Sequence, residues 1–362
     1  MRVCWRVWFA AGLVSLPIAS YAATCTTQAE LLALDRDALV AAGGRLSMAI
    51  LQQDEAALHA ALLPVEAAEW DGIRDTVEQA APLVKGGRIQ LRNLYLLDAT
   101  MLTAPSDTQF FCSNATGSLT VTVSMRALPP GRYAVVLADA AGAALSGQIG
   151  LVLAWSNAGA DTGWKLAGVS ARPGTFNGHD GGWYWAHARD LARSDQPWSA
   201  WYTYDVARYL LLPVDFLSSP NMEKLTQEQA QVKSATGNSP QDAFPLSLSA
   251  GDRTWKIDSV RLEPTLHEPD LGVTYQSTGV TDPAAQRTEA TAVLSALLKA
   301  QPALRENFHG LWAIAEKDGK KTPVMELPMA QIPLRQFRVR SSKRSVISCS
   351  RIWWLDGGRS EY

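Results

Sequence analysis

The stretch Val84-Lys85-Gly86-Gly87-Arg88-Ile89-Gln90-Leu91-Arg92-Asn93-Leu94-Tyr95-Leu96-Leu97-Asp98 decides how the fold is read. Before the glycine pair the apolar residues recur at helical spacing; after it they alternate with period two. Gly86-Gly87 is therefore a helix stop that hands the chain to a strand. Working upstream, three helical runs are expected. The first covers residues 28–53, with Leu31, Leu32, Leu39, Met48 and Leu51 on one stripe. The second covers 54–63 and ends at Pro64, and the third covers 66–84. Working downstream, strands are expected over 88–98, 108–112, 119–125, 133–138, 149–155 and 164–171. Pro129-Pro130-Gly131 and residues 139–142 are the turns between them.

Helices followed by a run of antiparallel strands define an α+β class. The order and lengths over roughly 26–172 resemble the cystatin-like and NTF2-like folds, in which a curved sheet wraps a helix into a cone. This likeness is one of pattern, carried by no residue motif.

Beyond the strands stands Arg172-Pro173-Gly174-Thr175-Phe176-Asn177-Gly178-His179-Asp180-Gly181-Gly182-Trp183-Tyr184-Trp185. A Gly-rich loop here leads into a helix over 183–193. A turn at 194–197 and a second helix over 198–211 complete a hairpin. Ala186, Ala188 and Ala192 are the small residues expected to let it close against Trp201, Tyr202, Tyr204 and Tyr209. One such hairpin resembles a single tetratricopeptide unit, but a solenoid needs about three copies and no second is present. A polar helix over 222–232 follows, and then a hydrophilic linker at 233–242.

The last unit, 243–333, reads as a small α+β sandwich: strands over 244–248, 253–262 and 271–278, a helix from Asp282-Pro283 to Pro302, then strands over 311–316 and 322–327. Proline at the first helical position is the start signal. The expected units are thus 1–22, 23–172, 173–232, the linker 233–242, 243–333 and 334–362.

The two ends differ from the body. Arg2 and Arg6, an apolar run over 7–18 and Ser20-Tyr21-Ala22 make a signal peptide cleaved after Ala22. Cys25 is no lipidation site, since Thr24 stands where a small residue is needed. No later run is long and apolar enough to span a bilayer, so the mature chain is expected to be soluble and periplasmic or secreted. Cys25 and Cys112 are then the pair left in the body once Cys4 departs and Cys349 is set aside with the tail. In an oxidising compartment the simplest reading is a disulfide; two free thiols, or a metal pair without a neighbouring His or Cys, are the rivals.

The tail 334–362 is basic, Ser-rich and aperiodic. It reads either as an arm for anionic lipid or polymer or as sequence outside the native frame, and we take the second. The chain's formal charge is −2; the leader holds two excess positive charges and the tail five, which leaves −9 on 23–333. An acidic body excludes nucleic acid as partner, because phosphate binding needs a basic face.

Several segments carry a family resemblance. They are Leu128-Pro129-Pro130-Gly131-Arg132-Tyr133, Trp164-Lys165-Leu166-Ala167-Gly168, Gly178-His179-Asp180-Gly181, Trp183-Tyr184-Trp185, Pro213-Val214-Asp215-Phe216-Leu217-Ser218-Ser219-Pro220-Asn221 and Glu326-Leu327-Pro328-Met329. Over about 26–332 the chain resembles a group of exported acidobacterial proteins of unknown function. The resemblance implies an exported location and brings no activity or site residues with it.

Chemistry centres on the Gly-rich loop. His179 beside Asp180 is a candidate general base or metal ligand, with His187, Arg189 and Asp190 on the following helix. Against this, Asp180 is placed to cap that helix, His179 to bond a turn, and His187 to enter an aromatic layer. Nucleophile elbows, H-E-x-x-H, Walker and dinucleotide motifs are all missing. His267, Glu268 and Asp270 around Pro269 read as a solvated charged loop. No metal or cofactor is expected. Trp183, Trp185, His187 and Trp201 are the candidate binding residues, since aromatic rings stack on sugar faces or anchor a protein partner. The expected function is a non-catalytic binding or assembly protein of the cell envelope, its partner an envelope protein or a small molecule. The alternative is a pocket enzyme, a hydrolase or isomerase, using His179 and Asp180.

Overall fold

A computed structural model describes residues 23–333 except 115, 118–119, 159–161, 234–236, 251–252 and 265–267. The expected leader and tail, and His267, lie outside the described residues. The chain opens with a short strand, β1 (Thr24–Thr27), before helices α1 (Ala33–Gln52), α2 (Glu55–Ala60) and α3 (Trp70–Val84). Strands β2 (Arg88–Asp98), β3 (Ser106–Ser113), β4 (Thr120–Leu128), β5 (Arg132–Ala141), β6 (Gly147–Ser156) and β7 (Gly163–Pro173) follow. The class is α+β, as read. Residues 139–141, expected in a turn, extend β5 instead and pair with the first residues of β2.

Five of these strands form an antiparallel sheet in the order β1-β2-β5-β6-β7. Strand residues point alternately to opposite faces, and here both faces are covered. Leu94, Leu96, Ala134, Val136, Ala138 and Leu151 turn toward α1 and α3 and share a core with Leu39, Ile50, Val77 and Leu83. Tyr95, Leu97, Tyr133, Val135 and Leu137 turn the other way, onto Phe110, Val121 and Val123. Those last residues belong to a smaller sheet in the order β10-β4-β3, where β10 is Leu217–Ser218. The N-terminal body is thus three layers: helices, large sheet, small sheet. Cys25 of β1 and Cys112 of β3 join the two sheets by a disulfide, with Cα atoms 5.0 Å apart and 87 residues between them in sequence.

The chain then makes a two-residue hairpin, β8 (Thr175–Phe176) and β9 (His179–Asp180), and three helices: α4 (Gly181–Arg193), α5 (Pro197–Leu211) and α6 (Pro220–Ala230). The final unit is β11 (Leu246–Ala250), β12 (Arg253–Pro264), β13 (Pro269–Gln276), α7 (Pro283–Ala300), α8 (Leu304–Asn307), β14 (Gly310–Lys317) and β15 (Lys320–Pro328). Its strands run in chain order across one sheet; β13 and β14 are parallel and are joined through α7, while every other pair is antiparallel.

The expected separation of hairpin and C-terminal unit disappears in the packing. Tyr184, Ala188, Trp198, Tyr202 and Leu210 lie in one continuous buried cluster with Ile257, Val260, Leu271, Val273, Val293 and Leu297. The hairpin is therefore a layer of the C-terminal body. The small residues that close it also differ from expectation: Ala188 is fully buried, whereas Ala186 and Ala192 face solvent. No helix of the described residues is long and apolar enough to cross a membrane.

Candidate functional site

The loop before α4 is tighter than its glycine content alone suggests. Asn177 and Gly178 both have positive φ, 50° and 76°, and link β8 to β9 as a two-residue turn. This is the geometry that Asn-Gly favours in hairpins. The turn sets His179 and Asp180 directly before α4. Asp180 then spends a carboxylate oxygen on the helix: Oδ1 accepts from the Trp183 N–H at 2.8 Å, satisfying one of the donors that every helix start leaves open.

With the cap fixed, three rings line up along α4. The His179 imidazole stacks on the Trp183 indole at 3.8 Å between centroids and 12° between planes. His187, one turn on, stacks on the same indole at 4.9 Å and 30°. Trp183 is 41% exposed. Tyr184, beneath the ladder, crosses Trp183 edge-on at 5.0 Å and donates its hydroxyl to the Phe176 carbonyl. His187 Nε2 reaches Asn307 Oδ1 at 3.1 Å, so the ladder is tied to α8, just before the end of the C-terminal sheet where β14 begins.

That end of the sheet holds a second cluster. The β13 residues Leu271, Val273 and Tyr275 enter the core, so Asp270, Gly272 and Thr274 point to the opposite face. Asp270 is nevertheless fully buried. Its Oδ2 accepts from Trp312 Nε1 at 3.1 Å, and its Oδ1 stands 3.0 Å from His309 Nδ1. The other imidazole nitrogen, Nε2, lies 3.0 Å from Glu268 Oε2. Glu326, opposite Trp312 on β15, completes the group; donor atoms of Asp270, His309 and Glu326 all fall within 4.8 Å of one another. Gly310 makes room, since a Cβ there would stand 3.1 Å from Asp270 Oδ1. The backbone of His309 is fastened on both sides, its N–H to the Pro269 carbonyl and its carbonyl to the Met329 N–H.

The electrostatics follow from crowding. Burial, and then the neighbouring Asp270 carboxylate, raise the Glu326 carboxyl above the usual range, with His309 opposing. Burial pushes the Tyr184 phenol up to about 12, and the Glu268 carboxylate adds to it.

The expectation that Glu268 and Asp270 form a solvated loop is corrected for Asp270, which lies on β13 as a wholly buried carboxylate. No local pattern marks it, because its partners, His309 and Trp312, are about 40 residues downstream. Glu326 stands in the Glu-Leu-Pro-Met segment already singled out, but nothing about that segment marked it as chemical.

The remaining candidates go elsewhere. Trp185 donates from Nε1 to Glu228 Oε2 at 2.8 Å and lies under the Arg189 guanidinium at 4.5 Å. Arg189 clasps the same carboxylate through Nε and Nη2 at 2.7 and 2.9 Å, and these bonds hold Glu228 below the usual carboxylate range, with Trp185 assisting. This is a stitch between α4 and α6. Trp201 is half-buried against the hairpin core. Asp180 also forms part of the wall of a cleft of about 440 Å3 between the two bodies, with Arg92, Asp139 and Gln148, but His179 does not line it. Arg92 is already engaged there by Asp139 at 3.2 Å.

No family model matches the chain, and neither curated proteins nor solved structures yield a significant match.

Proposed function

We propose that the protein is an exported, non-catalytic binding or assembly protein of the cell envelope, and that it recognises its ligand or partner through the ladder His179–Trp183–His187. The observation that carries this reading is the solvent-exposed Trp183 held between ordered rings. A large exposed apolar side chain is ordinary when it stands singly. One fixed on a capped helix, stacked on imidazoles and rimmed by polar groups is an anchor ready for contact at little entropic cost. The acidic body is consistent with a protein or small-molecule ligand rather than nucleic acid.

The pocket-enzyme alternative built on His179 and Asp180 finds no support in this geometry. Asp180 is committed to the helix N–H, and His179 to the indole. The test is co-purification of the exported protein from the envelope beside a His179→Ala/Trp183→Ala variant, with Phe111→Ala as an exposed aromatic control. A discrete partner or ligand retained by wild type and control, and lost from the ladder variant, supports the reading. Equal retention by all three removes it.

A further inference from the structure

The cluster at the end of the C-terminal sheet is not needed by the ladder and carries chemistry of its own. Asp270 is a wholly buried carboxylate, and among the described residues neither it nor Glu326 is paired with a lysine or arginine. Three carboxyl groups, Glu268, Asp270 and Glu326, gather around one imidazole. Burying carboxylate charge is costly unless a cation offsets it, and the group that faces Glu268 and Asp270 here is the His309 imidazole.

The donors are also aimed. Trp312 Nε1 holds Asp270 Oδ2 and leaves Oδ1 turned toward His309. Glu268 faces Nε2 of the same imidazole. With an ion bound, an N–H at Nε2 donating to Glu268 would leave the Nδ1 lone pair for the metal in place of its present contact with Asp270 Oδ1, the outer partnership that metal-ligating histidines use. Two outer contacts from two different segments therefore point two ligand atoms at one place, and Glu326 reaches it from a third strand.

We infer that Asp270 Oδ1, His309 Nδ1 and a Glu326 carboxylate oxygen bind one divalent transition ion, zinc in the first instance. Ligands about 2.1 Å from a tetrahedral zinc stand about 3.4 Å apart, so the 3.0 Å between His309 Nδ1 and Asp270 Oδ1 needs to open by only a few tenths of an ångström. One imidazole and two carboxylates suit zinc better than calcium or magnesium, which take oxygen ligands. Three protein ligands leave a fourth position for water. The exchange balances without a co-reactant: the ion takes the place of protons held among the imidazole and the carboxyl groups, and those protons pass to solvent.

The experiment is calorimetric titration of chelator-stripped full chain with zinc chloride in two buffers of different ionisation heat, alongside thermal melts. We expect one equivalent bound, protons released, and a raised Tm. Glu326→Gln, at an exposed side chain, and His309→Ala should each weaken binding at least tenfold. Trp312→Phe, which spares the ligands but removes an outer contact, should weaken it about 10- to 100-fold. His179→Ala/His187→Ala should leave it unchanged. Absence of zinc heat and of any melting shift overturns the site. So does affinity that survives in both Glu326→Gln and His309→Ala, or that is lost with the ladder histidines.

Discussion

Glu228 shows how a single residue can join two elements, α4 and α6. Its carboxylate receives two bonds from Arg189 and one from Trp185, a bidentate, charge-assisted pairing that is stronger than a neutral hydrogen bond. Because its folded pKa is depressed, chiefly by Arg189, its contribution is fully present above the ordinary carboxylate range and is lost as pH falls through the lowered folded value. Acid melts of Glu228→Gln should therefore show a loss of about 1–2 kcal/mol at neutral pH that shrinks toward zero as pH falls below the ordinary carboxylate range and through the lowered folded value; a loss constant with pH would contradict the assignment. Asp180→Ala should cost about 1 kcal/mol in denaturant unfolding, the worth of a helix cap, since its Oδ1 accepts from the Trp183 N–H. Asp180 as a cap was legible in sequence, because the cap and its helix are three residues apart. Asp270 was not, because a carboxylate becomes a core residue only through strand pairing that brings His309 and Trp312 to it.

At the scale of the element, strands were easier to find than their surroundings. The run Tyr133-Ala134-Val135-Val136-Leu137-Ala138 reads as a strand, but an unbroken apolar run also signals burial on both faces. That signal was present and pointed to the second sheet, where alternate residues of β5 are in fact received. Strand β1 offered no such pattern: four residues, three of them threonine, are placed by pairing with β2. The Asn177-Gly178 turn was equally legible, as a dipeptide that selects a two-residue hairpin, although the stretch reads at first as a loose glycine loop. In the α4–α5 pair the decisive small residue is Ala188, at the buried face. Ala188→Leu should overpack that contact and cost about 1–3 kcal/mol, whereas Ala186→Leu and Ala192→Leu should stay within about 0.5 kcal/mol. Chemical denaturation of the three variants checks this; equal effects would mean that the hairpin does not close on Ala188.

Across the whole molecule, two bodies are held by different means. The N-terminal body depends on the Cys25–Cys112 bridge between its sheets. Removing it with Cys25→Ser/Cys112→Ser should cost about 2–5 kcal/mol, read as a lowered Tm, and the oxidised protein should show neither thiol free to a labelling reagent. The C-terminal body is knit by the apolar cluster it shares with the hairpin. Between the bodies run further ties: Gln148 Nε2 donates to the Leu210 carbonyl at 2.7 Å, and the Arg172 guanidinium lies over the Tyr209 ring at 4.8 Å. The ladder therefore stands on the body with the larger shared core, tied at His187 to Asn307. The most direct test of its role places a photo-crosslinking side chain at position 183, and separately at Leu34, an 86% exposed apolar residue on α1, in cells exporting the protein. Our account predicts a discrete adduct from position 183 and none from position 34. An adduct from position 34 alone, or identical adducts from both, would contradict it.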